Sequence, residues 1–187
     1  RMNKKIYLLP LLLLALIFVS CEETKEAGKY DNWKARGEMF IDSIAAEAAA
    51  QTEQTPIAER IYSVLDQVNR NYIYYKKNID YPPTSNVSPL YTDSVVTNYR
   101  MSYFNGDIVQ QTFTGKDPDG FSKPVGFTVD KVISGWTWAL QQMKVGERWT
   151  LYIPWKSGYG SATGPSGDLQ PYSTLVYDVQ LVEIVSQ

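Results

Sequence analysis

The chain opens on an almost unbroken apolar run, Ile6 to Val19, set behind Arg1, Lys4 and Lys5 and ahead of Ser20-Cys21. A helix needs roughly 20 apolar residues to span a bilayer, and this run is shorter. A basic start, a short apolar stretch and small junction residues form the pattern of a secretory signal, so residues 1–20 are expected to be a leader. Residues 21–31 are charged, have no apolar period and read as a solvated tether. From Asn32 to about Gln51, Trp33, Ala35, Met39, Phe40, Ile44, Ala45 and Ala48 recur mostly at three- and four-residue steps, which predicts an amphipathic helix. Thr52 to Thr55 interrupts it. Pro56 is predicted to open a second, shorter helix through about Val68, with Ile57, Ile61, Val64 and Leu65 on one side. Residues 32–70 are thus expected as a helical N-terminal extension. Its stripes must bury either on the following domain or on a second copy of the chain.

The period changes to two at Tyr72. Tyr72 and Tyr74 read as a strand, and Tyr81 to Asn86 is a turn-rich connector. Ser94 to Phe104 is a long β-rich run closed by the hairpin dipeptide Asn105-Gly106. Asp117-Pro118-Asp119-Gly120 marks a loop, Phe127 to Val129 a short strand, and Val132 to Met143 a short helix carrying Ile133, Trp136 and Leu140. Trp149 to Pro154 alternates as a strand. The loop Ser157 to Ser173 leads to a last strand with Leu175, Tyr177, Val179 and Leu181 on one face. Many strands against one short helix predict an α+β half-barrel over residues 71–187.

Composition narrows the chemistry. The sequence has no histidine, which excludes Ser-His and Cys-His mechanisms and His-ligated metal sites. Its only cysteine is Cys21, so no intrachain disulfide can form. Of 18 Lys+Arg against 20 Asp+Glu, the leader carries three of the cations, which leaves 15 against 20, a charge of −5. A nucleic-acid binder shows a basic surplus or stripe, and neither is present. Carboxylates, Lys, Tyr, hydroxyls or a pocket without any titrating group must do the chemistry. The 14 Tyr, 6 Phe and 5 Trp supply a core.

Two resemblances add to this. Phe18-Val19-Ser20-Cys21 resembles the bacterial lipoprotein signal, which implies cleavage before Cys21, lipidation of its thiol and an anchor in the envelope of a Gram-negative bacterium, most simply its outer membrane. The block Lys131-Val132-Ile133-Ser134-Gly135-Trp136, the block Ala139 to Arg148, the block Ile153-Pro154-Trp155-Lys156-Ser157-Gly158-Tyr159-Gly160 and the ending Pro171 to Leu181 are collinear. Together they resemble the FKBP-type peptidyl-prolyl cis-trans isomerases, over roughly Val95 to Ile184. The resemblance implies a twisted antiparallel half-barrel wrapped around one short helix, with an apolar pocket between them. It also implies proline-containing polypeptides as substrates and, as in some relatives with helical extensions, a homodimer.

Residue by residue, the resemblance places Val132 and Ile133 in the pocket lining, with the Ile133 N–H on a substrate carbonyl, and Trp136 as the floor. It makes Tyr159 a hydroxyl contact, Tyr99 and Tyr177 walls, and Leu169 part of the loop above. Four positions depart from the family pattern, among them Gln170, which with Pro171 stands where the long loop usually has paired prolines. Val109-Gln110 stands where a Phe-Asp pair is usual, and Val125 where another pocket aromatic is. An active isomerase assisting envelope protein folding is therefore weighed against a catalytically weak binding module or chaperone on the same fold. A third reading, glycan binding, needs exposed rings at Trp33, Tyr74 or Tyr75. For the anchor, Cys21→Ser is expected to release the protein from membranes on fractionation; continued sedimentation with lipid contradicts lipidation.

Overall fold

The computed structural model describes residues 28–185; the leader, Cys21 and the start of the tether lie outside them. Helix α1 spans Trp33–Ala49. Its stripe buries on this chain's own sheet, through Trp33, Gly37 and Ile44. The Trp33 ring meets Tyr103 edge-on at 5.2 Å and Phe104 at 4.5 Å, and its indole N–H donates to Ser173 Oγ at 2.9 Å. Gly37 permits this approach, because a Cβ there would stand 2.8 Å from Thr174 Oγ1.

The second predicted helix, Pro56 to Val68, does not form. Pro56 leads into one 3-10 turn, Ile57–Glu59, and then into strand β1, Ile61–Asp66. The helical spacing there reflects no buried stripe, since Ile57 and Leu65 are exposed. Instead the segment completes the hairpin with β2, Asn71–Lys77, in register from Ile61↔Lys76 to Asp66↔Asn71. Tyr62 stacks on its partner Tyr75 at 5.4 Å, a cross-strand pair of the kind that stabilises sheets. The sheet therefore begins at Ile61, ahead of the expected residue 71.

Five more strands follow: β3 (Ser94–Tyr103), β4 (Ile108–Gln111), β5 (Val125–Thr128), β6 (Arg148–Ile153) and β7 (Leu175–Val185). All pair antiparallel in the order β1-β2-β6-β7-β3-β4. One edge of β3 pairs with β7; the other is shared, with β5 on Ser94–Thr97 and β4 on Arg100–Ser102. Alternation puts Val95, Thr97, Tyr99, Met101 and Tyr103 of β3 inward, and Leu175, Tyr177, Val179 and Leu181 of β7 with them. Helix α2 spans only Ser134–Leu140, shorter than the predicted Val132 to Met143, and buries Trp136, Ala139 and Leu140 in the same core.

A carboxylate fastens the β1–β2 hairpin to α2. Asp66, fully buried, accepts the Ser134 and Ser157 hydroxyls at 2.6 and 2.5 Å and the Trp138 indole N–H at 3.0 Å. The backbone N–H groups of Val68 and Asn69 and the Asn69 amide complete its shell. Burial alone would raise its pKa, but the donors from Ser134, Ser157 and Asn69 outweigh burial and hold it at about 2.

Two outcomes follow from these contacts. Gly37→Ala normally stabilises a helix by about 1 kcal/mol; here the clash with Thr174 reverses the sign, for a net loss of about 1–2 kcal/mol in urea unfolding. A gain would contradict the docking of α1. Asp66 has a folded pKa below its unfolded value of 3.8, so its contribution is present above about pH 4 and is lost as pH falls toward 2. The stability difference between the protein and Asp66→Asn is expected to be constant from pH 5 to 7 and to shrink by about 2 kcal/mol at pH 2; a pH-independent difference contradicts it.

Candidate active site

The core opens into a cavity of about 700 Å³ over the Trp136 indole. Trp136 reaches it because α2 starts unusually close to β6. A Cβ on Gly135 would stand 2.7 Å from Ile153 Cγ2 and 3.1 Å from the Ser157 carbonyl oxygen, so only glycine fits before this tryptophan. Three rings meet the indole edge-on: Tyr99 at 5.4 Å, Phe127 at 5.4 Å and Tyr177 at 5.1 Å. Such edge-to-face contacts each add about 0.5–1.5 kcal/mol beyond area burial. The indole Nε1–H has no acceptor among the described residues.

Most residues expected to line a pocket do line this cavity. Strand β3 brings Tyr99, β4 brings Val109 and Gln110, and β7 brings Tyr177. Val132 and Ile133 stand at the entrance to α2, Tyr159 on the loop after β6, and Leu169 on the loop before β7. The Ile133 carbonyl accepts from Trp136 and Thr137 and starts the helix, while its N–H meets no protein acceptor among the described residues. A helix leaves its first N–H groups free in this way.

Val125 is the exception and does not line the cavity. It opens β5 at the gap between the two ladders on β3's shared edge, and it is 40% exposed. Phe127, two residues along the same strand face, supplies the ring against Trp136. Sequence reading left Phe127 and Met101 unassigned, although strand alternation through Tyr99 and from Val125 puts both on the cavity side. It also left unassigned the rim of Lys131 and Asp168.

The electrostatics separate floor from rim. Burial, and then the neighbouring Tyr159, raise the Tyr99 phenol, and push that of Tyr177 well up. Both stay protonated at neutral pH, and the Tyr177 hydroxyl points to Met101 Sδ at 2.8 Å. No charge sits on the floor. At the rim, Lys131 pairs with Asp130 at 3.0 Å, and Asp168 accepts from Ser166. Among the described residues no three His, Cys, Asp or Glu side chains converge as metal ligands.

The model of one family, the FKBP-type peptidyl-prolyl cis-trans isomerases, matches residues 86–182, just over half of the chain. The chain belongs to this family. It is 28% identical over 165 residues to the FKBP-type peptidyl-prolyl cis-trans isomerase FkpA of Escherichia coli, covering 88% of this chain and 51% of that protein. It is 44% identical over 80 residues to the macrophage infectivity potentiator of Trypanosoma cruzi, covering 38% and 40%. The chain thus spans about half the length, or less, of these curated relatives. Among solved structures, Escherichia coli FkpA aligns with a TM-score of 0.58 at 25% identity, over 83% of this chain and 60% of that one. A peptidyl-prolyl cis-trans isomerase of Pseudomonas syringae aligns at 0.55 and 25%, over 80% and 96%. The FKBP architecture of an antiparallel half-barrel around one short helix is the one found here.

The rings required by the glycan reading are mostly occupied. Trp33 is buried, and Tyr75 stacks on Trp149 at 4.1 Å with the planes 2° apart.

Proposed function

We propose that this chain is a peptidyl-prolyl cis-trans isomerase of the Gram-negative cell envelope, held at the membrane through lipidated Cys21 and acting on proline-containing polypeptides. The observation that carries the reading is the open, uncharged floor at Trp136 facing a free backbone donor at Ile133.

The chemistry needs no proton transfer. An X–Pro bond resists rotation by roughly 18–20 kcal/mol because resonance keeps it planar. Its cis and trans forms differ by only about 0.5–1 kcal/mol, so the obstacle is kinetic. The planar amide carries more charge separation than the twisted one, and water stabilises it. A proline ring seated on Trp136 between Tyr99, Phe127 and Tyr177 loses that water, and the twisted amide gains relative to the planar one. The Ile133 N–H holds the carbonyl on the substrate side, and the Tyr159 hydroxyl is a second donor across the cavity. Each 1.4 kcal/mol by which the site favours the twisted form is tenfold in rate.

A second reading is favoured by one observation. Val109 and Gln110 line the wall where the family's aromatic and carboxylate stand, so a wall ring and a pocket charge are missing. A chaperone that binds proline segments with little catalysis fits that wall.

Protease-coupled turnover of a proline tetrapeptide separates the two. An isomerase is expected to exceed the uncatalysed rate, with kcat/KM flat from about pH 6 to 8, because the floor phenols stay protonated and Lys131 stays charged. Trp136→Ala is expected to reduce kcat/KM by more than about tenfold, and Tyr159→Phe, which keeps the ring, by about threefold to tenfold. A rate at the uncatalysed value, with suppressed aggregation of an unfolded client, establishes the chaperone instead.

A further inference from the structure

The Asp66 carboxylate lies outside the cavity, yet the two segments it grips carry the cavity's polar contact points. Ser134, whose hydroxyl it accepts at 2.6 Å, is the first residue of α2 and directly follows Ile133. Ser157, accepted at 2.5 Å, sits two residues before Tyr159 and also receives the Asn71 amide at 2.8 Å. Ser134 and Ser157 approach the same oxygen, Oδ2, and the Asn69 amide bridges that oxygen to Ser134 Oγ. The Trp138 indole, one turn along α2, takes the other oxygen, Oδ1. These donors come from three separate stretches of chain and have one acceptor in common. The carboxylate is fully buried, as are Ser157 and Gly135 beside it, so water cannot replace it. Neither Ser134 nor Ser157 lines the cavity.

We propose that Asp66 is a positioning residue for prolyl isomerisation, which fixes the spacing between the Ile133 N–H and the Tyr159 hydroxyl by holding Ser134 and Ser157 on one oxygen. The inference rests on the isomerase reading above. Donors that must meet a twisting amide together lose rate steeply when one drifts: a misplacement of about 1 Å can cost 10²-fold. Asparagine at this position keeps the shape but replaces one acceptor oxygen by a donor. Whichever way that amide turns, its NH2 faces donors that the carboxylate accepted, either Ser134, Ser157 and the Asn69 amide or the Trp138 indole and the Val68 and Asn69 N–H groups, so the shared grip on the two segments is weakened. A carboxylate that merely staples the hairpin would lower stability and leave the chemical step intact.

The test compares the full protein with Asp66→Asn, Ser134→Ala, Ser157→Ala and the double variant D66N/S134A, at a temperature where unfolding curves show each one folded. Asp66→Asn is expected to lower kcat roughly tenfold with KM within about twofold, and each serine variant about threefold. The double variant is expected to be no worse than Asp66→Asn alone, since both changes break the same tie. Lower melting temperatures with kcat unchanged in all variants overturn the proposal; if Asp66→Asn does not fold, the two serine variants decide it by the same criterion. Hydrogen exchange gives a readout that does not need activity. Backbone amides of residues 132–136 and 157–160 are expected to exchange at least about tenfold faster in the variants, while the β3–β7 ladder stays protected. Unchanged exchange at either segment overturns the proposal. A chain without isomerase activity but with this exchange pattern refutes the isomerase reading and leaves the clamp standing.

Discussion

The structure depends on keeping one indole dry on one side while leaving it open on the other. Trp136 is 3% exposed and meets the edges of Tyr99, Phe127 and Tyr177, while its own N–H finds no acceptor among the described residues. Those rings come from three strands, and they reach the indole only because the sheet wraps around α2 and α2 begins hard against β6. Gly135 is the point at which that closeness is set. A side chain there would push the helix outward, and the floor of the cavity would move with it.

Two struts support this arrangement from outside the cavity. On one side, Asp66 gathers the hairpin, the start of α2 and the turn after β6. On the other, α1 lies across the loop that leads into β7. The Trp33 indole N–H donates to Ser173 Oγ, which donates to the Gln170 carbonyl, while the Gln170 N–H donates to the Tyr103 hydroxyl. Leu169, which forms part of the cavity wall, directly precedes Gln170. The N-terminal helix is thus part of the domain's packing in this chain, and the loop above the cavity is braced by it. A buried arginine closes a third corner: Arg148 meets both oxygens of the partly exposed Asp178 at 2.6 Å and the exposed Asp117 at 2.7 Å, tying the 114–120 loop to the sheet.

Much of this is legible in the residues. The alternation of Leu175, Tyr177, Val179 and Leu181 marks a half-buried strand, and the stripe through Trp33 and Ile44 marks a docked helix. Pro56 to Val68 misleads because apolar residues four apart also occur in a strand with one exposed face; what decides the outcome is the edge offered by β2, a tertiary partner that local spacing does not encode. Val125 misleads because its environment depends on where two strands divide an edge of β3. Asp66 is the hardest case. It falls inside the stretch whose spacing predicts a helix, and its partners Ser134 and Ser157 lie 68 and 91 residues away.

The most direct measurement is two-dimensional NMR exchange spectroscopy on a short proline peptide mixed with a substoichiometric amount of the protein, with the Trp136 indole N–H and the Ile133 amide observed in parallel. The expected result is cis–trans exchange far faster than the tens to hundreds of seconds of the free peptide, with both protein resonances shifting as peptide is added. Exchange at the free-peptide rate with both resonances unmoved would show that no proline ring rests on this floor.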